Sequence, residues 1–120
     1  MKDAILISAC SARSAEIRRI APFVLAAAVD RRVILSSCAW QVLGPLLDGV
    51  EVQHYEGPVV RRIALGGVAL AIVLRDAEEA NEAIPLVRAC VSHRTRLAVC
   101  ADGAIAMLEH LTPVRVPAVA

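Results

Sequence analysis

"VALAIVL", residues 68–74, is apolar at every position. In a strand, successive side chains point to opposite faces, so a strand with one wet face alternates apolar and polar residues. A run with no alternation is covered on both faces, as in the centre of a parallel sheet with helices above and below. This stretch therefore predicts an α/β protein, and the neighbouring segments are read against it.

Three further runs share its character: "AILISAC" (4–10), "RRVILSSC" (31–38) and "TRLAVC" (95–100). Each is short, apolar and bounded by small or polar residues, and each reads as a strand. "VEVQHY" (50–55) alternates, which fits an edge or half-exposed strand. "VRVPAV" (114–119) reads as a final edge strand, where Pro117 is tolerable.

Helical spacing fills the intervals. From Ser14, the residues Ile17, Ile20, Ala21, Val24, Leu25 and Ala28 fall on one face, with Pro22 predicting a kink or a break. "AWQVLGPLLDG" (39–49) is a short helix ended by Gly44-Pro45 or Asp48-Gly49. Residues 76–93 read as a helix with an acidic first turn, which Pro85 is expected to divide, and "GAIAMLEHL" (103–111) reads as another. "EGPVVRRIALGG" (56–67) is compatible with either a short helix or a strand. Strands alternating with helices predict a three-layer α/β/α sandwich with a mostly parallel sheet of about five strands. All 120 residues are expected to form one domain.

Composition narrows the function. Apolar residues make up 58% of the chain and aromatics 2%, so the core is built from Ala, Val, Leu and Ile. Such packing suits tight α/β layers, or a homo- or hetero-oligomer with apolar surface to bury. A formal net charge of +1 provides no field to steer the chain onto nucleic acid or an anionic membrane. The basic pairs lack interleaved aromatics, so neither nucleic acid nor membrane is an expected partner. The first apolar run is too short for a signal peptide or a membrane span, which places the chain in the cytoplasm. No Cys-x-x-Cys pair occurs, and His54, His93 and His110 have no ligand spacing, so no metal is expected. His93 and His110 suit the negative ends of helices. "ALGGVA" (64–69) contains glycines but not the strand, Gly-x-Gly-x-x-Gly and helix order of a dinucleotide site.

The four cysteines carry the remaining signal. Cys10, Cys38 and Cys100 each end a predicted strand, and in a parallel sheet all carboxyl ends share one rim. Cys90 lies within a helix. A buried cysteine packs like a small hydrophobe, and Cys38 has Trp40 nearby to pack against. A thiol just before a helix, in contrast, meets unpaired N–H groups that favour the thiolate. Cys100 fits this best, with Asp102 as a helix cap and Gly103 allowing close approach of the backbone. Cys10 opens a serine-rich loop, "CSARSAEI", in which Ser11 and Ser14 could cradle an anion or act as turn and cap residues.

"APFVLAAAVDRRVILSSCAWQVLGPLL" (21–47) and "LVRACVSHRTRLAVCADGAIAMLEH" (86–110) resemble segments of the DsrE/DsrF-like sulfur-relay family. The resemblance implies a DsrE-like fold and a sulfur carrier that forms a persulfide on Cys100 and passes it to a partner. Cys10 and Cys38 would then be auxiliary thiols. Such a role requires sulfur donor and acceptor proteins but no cofactor. Two alternatives stand beside it: a non-catalytic oligomeric α/β subunit, and a phosphocysteine carrier using Cys10, whose loop is similar to that of sugar-phosphotransferase IIB domains.

Overall fold

The computed structural model describes residues 3–75 and 83–112. Within them, five strands form one sheet: β1 (Ala4–Ala9), β2 (Val33–Ser37), β3 (Val52–Tyr55), β4 (Val68–Leu74) and β5 (Arg96–Ala98). Their order is β3-β2-β1-β4-β5, and every pairing is parallel. The helices are α1 (Ser14–Ala27), α2 (Cys38–Leu43), α3 (Val59–Ala64), α4 (Ala83–Ser92) and α5 (Ala101–Leu111).

The two-residue period of the strands divides the core into two layers. Ile5, Ile7, Leu35, Leu70, Ile72 and Leu74 face one side, under α1, α2 and α5. Leu6, Ile34, Val68, Ala71 and Val73 face the other, under α3 and α4. Strand β4 is therefore covered on both sides, as its unbroken apolar sequence requires. Burying each Leu or Ile side chain contributes about 1.5–3 kcal/mol, so the central strands hold much of the stability. Edge strand β3 leaves Gln53 and His54 exposed.

Several local expectations are corrected. Helix α1 runs unbroken through Pro22, which sits exposed while Ile17, Ile20, Ala21, Val24, Ala27 and Ala28 bury the opposite stripe. Leu25, expected on that stripe, is exposed. Residues 59–64 settle as a helix because Val59 and Ile63, four apart, both bury against the sheet. That helix ends at Gly66 and Gly67, whose φ angles of 86° and 82° belong to the left-handed region. The carbonyl of Gly67 then accepts from Asp3 N and Ala4 N, tying the turn to the start of β1. Pro85 lies in the first described turn of α4 and does not divide it. Helix α4 points Ile84, Val87 and Val91 outward, so its apolar residues spread beyond the stripe that faces the sheet. The expected strand at 114–119 and the acidic turn at 76–82 lie outside the described residues. No described helix is long and apolar enough to cross a membrane.

Candidate functional site

The strand order decides where a ligand can enter. Strands β1 and β4 are neighbours, yet the helices that follow them pack on opposite faces of the sheet. Open parallel sheets bind their ligands at such a reversal point.

Two arginines meet there. Arg75 follows β4 directly, and its Nη2 donates to the hydroxyl of Ser8, near the end of β1, at 3.0 Å. Arg13 lies in the 3-10 turn Ser11–Arg13, and its Nη1 donates to the Arg75 carbonyl at 2.9 Å. Arg13 also clasps Glu16 through two nitrogens, Nη2 reaching Oε2 at 2.8 Å and Nε reaching Oε1. That hydrogen bonding from Arg13 holds the Glu16 carboxyl below its ordinary value against partial desolvation, and the Ala101 N–H adds to the effect. Cys10 N donates to the Leu74 carbonyl at 3.1 Å, extending the β1–β4 ladder one step at the carboxyl edge.

Ser8 is wholly buried, and its register partner Ser36 on β2 is nearly so. Apart from Thr95, they are the only buried polar residues described, and both sit near the carboxyl edge. A polar side chain in an apolar interior costs free energy unless it is hydrogen-bonded, and no buried side-chain polar atom among the described residues lacks a partner.

The cysteines share this edge without forming one cluster. Cys10 and Cys38 are half-buried at the ends of the adjacent strands β1 and β2. Cys100 is exposed beyond the edge strand β5, with β4 between it and β1. Cys90 is buried in α4, and burial pushes its thiol pKa up. At α5 the capping expectation is corrected: Cys100 itself is the cap, its Sγ accepting from Gly103 N at 3.4 Å. Asp102 instead pairs with Arg19 of α1 at the surface, because its position inside the first turn points its carboxylate away from the helix end. A Cβ on residue 103 would stand 3.4 Å from that sulfur, so glycine leaves room for the cap. Ser11 opens the 3-10 turn and Ser14 opens α1, and neither caps a helix through its side chain. Trp40 stacks on His54, with ring centroids 4.9 Å apart and planes 14° from parallel, so its aromatic partner is His54.

Two shallow grooves lie elsewhere. One, of about 670 Å³ at the amino edge, mixes Asp30, Arg31, Asp48 and Glu51, and the other, of about 470 Å³, lies beside Trp40 and Pro45. The first mixes carboxylates with arginines and the second is mostly apolar, whereas two arginines meet at the ends of β1 and β4. No group of three or more His, Cys, Asp or Glu side chains suited to a metal ion occurs among the described residues. Sequence reasoning passed over Arg13 and Arg75. The available signal was an arginine directly after an unbroken apolar strand.

No family model matches the chain, and no curated protein matches it in sequence. Among solved structures, methylglyoxal synthase from Elizabethkingia anophelis NUHP1 is similar in fold. The TM-score is 0.64 at 18% identity, over 89% of this chain and 77% of that one. This likeness overturns the expectation of a persulfide carrier built on Cys100 and of the two alternatives set beside it, because the related architecture belongs to a protein named for different chemistry. The arginines gather at β1 and β4, away from Cys100.

Proposed function

We propose that this protein binds a small anionic metabolite, bearing a phosphate or carboxylate group, at the carboxyl ends of β1 and β4. The observation that carries the reading is the Arg75–Ser8 hydrogen bond, with Arg13 fastened to the Arg75 backbone beside it. Arginine presents a planar fork of donors that suits oxyanions, as the Arg13–Glu16 ion pair illustrates within the chain. The fold likeness supports a small ligand over a macromolecular one, since methylglyoxal is itself a small polar metabolite.

Calorimetric titration with inorganic phosphate, glycerol phosphate and citrate tests this. Saturable binding of at least one is expected. Arg75→Ala should weaken it about tenfold or more, because a hydrogen bond to a charged group contributes about 1.5–3 kcal/mol. Absence of saturable binding to all three, or equal affinity in Arg75→Ala and Arg13→Ala, overturns the reading.

A further inference from the structure

The last register pair between β1 and β2 is Ala9 with Ser37, and the next residue on each chain is a cysteine, Cys10 and Cys38. Cys10 keeps an extended backbone, with φ of −89° and ψ of 162°, so β1 holds its course up to the thiol. Neighbouring strands lie about 4.8 Å apart. Cys38 is the first residue of α2, so that spacing describes the Ala9–Ser37 pair one residue before the thiols, and it falls inside the window of about 4.4–6.8 Å between Cα atoms that a disulfide spans. Both thiols are free and half-buried, open to a small reagent yet sheltered on the sheet side.

We propose that Cys10 and Cys38 form a cross-strand dithiol that closes to a disulfide on meeting a low-molecular-weight disulfide such as oxidised glutathione. One cysteine thiolate attacks a glutathione sulfur, forming a mixed disulfide and releasing the first glutathione as a thiolate. The second cysteine thiolate then attacks the protein-side sulfur, breaking the mixed disulfide and releasing the second glutathione. The two protons lost from the protein thiols pass to the two glutathione thiolates. Two protein thiols are oxidised and one glutathione disulfide is reduced. The bond would join the loop carrying Arg13 to the start of α2, which makes this edge of the sheet a modification site.

The test treats the native protein with oxidised glutathione, blocks remaining thiols by alkylation, and maps tryptic peptides by mass. Expected is a linked pair of peptides spanning 3–13 and 33–61, lighter by two hydrogens than their sum. The exposed, solitary Cys100 should carry a glutathione adduct in the same sample and so report that the reagent was active. In Cys38→Ser, Cys10 should retain glutathione that it does not hold in the native chain. If Cys38→Ser fails to fold, Cys10→Ser with the adduct sought on Cys38 gives the same reading. The proposal is overturned if both cysteines are recovered alkylated while Cys100 is modified, if each carries its own glutathione, or if either links to Cys100.

Discussion

Arg75 reaches from the end of β4 to the hydroxyl of Ser8 on β1, and that 3.0 Å contact spans the line along which the sheet reverses its winding. Ser8 is fully buried, so its hydroxyl depends on partners within the protein. Ser8→Ala should lower stability by about 1 kcal/mol, the usual net value of one hydrogen bond, read as a lower urea midpoint with unchanged slope. An unchanged midpoint would show that the contact does not hold in solution.

The centre of β4 should be the most sensitive part of the sheet. Ile72 is fully buried, and Ile72→Ala should cost about 2–5 kcal/mol through lost transfer energy and the cavity left behind. Leu65, exposed at 70%, is the matched control, and Leu65→Ala should stay within about 0.5 kcal/mol of the native protein. Equal effects at the two positions would contradict the layering.

Arg94, in the turn after helix α4, has φ of 53°, a left-handed conformation that costs an L-residue with a Cβ about 1–2 kcal/mol. Its neighbour Thr95 donates from its backbone to the Cys90 carbonyl at 2.8 Å, which locks the turn. Arg94→Gly should raise the thermal midpoint by a few degrees, whereas Arg94→Ala should not. A lower midpoint for the glycine variant would argue against the turn.

The Arg13–Glu16 clasp predicts a pH dependence. Glu16 has a folded pKa below its ordinary value, so its contribution is full above the ordinary glutamate range. As pH falls through that range toward the folded value, the carboxylate is protonated and the contribution is lost. Denaturation of native protein and Glu16→Gln should differ most near neutral pH and converge in acid. A gap that is constant with pH would mean that the charge is not involved.

Cys100 predicts an inversion of the usual caution about cysteine. Its sulfur caps α5 through Gly103 N, a task that a serine hydroxyl performs better. Cys100→Ser should match or exceed the native stability, and Cys100→Ala should fall below the serine variant by about 1 kcal/mol in denaturant titrations. If alanine proves as stable as serine, the sulfur is not capping the helix.

Periodicity made most of the fold legible. Strand β4 was readable to the residue because no side chain along 68–74 could face water. Helix α1 was readable in position but not in its continuity through Pro22, since packing on Ile17, Ile20 and Val24 outweighs one missing hydrogen bond. Residues 59–64 stayed ambiguous because six residues are too few for a period to declare itself. The candidate site was legible only as a rim: the cysteines marked the carboxyl edge, yet Arg13 and Arg75, which meet there, stand 62 residues apart in sequence.

The sequence by itself determined the α/β class, the parallel character of the sheet, its central apolar strand and the shared rim of the strand ends. These depend on local spacing and on each segment's need to hide apolar side chains. Only the tertiary structure decided that β1 lies beside β4, that Arg75 meets Ser8 and Arg13, and that Cys10 and Cys38 each follow the last register pair of β1 and β2. Strand order and cross-strand register arise from the joint packing of two helical layers, and no segment carries that information alone.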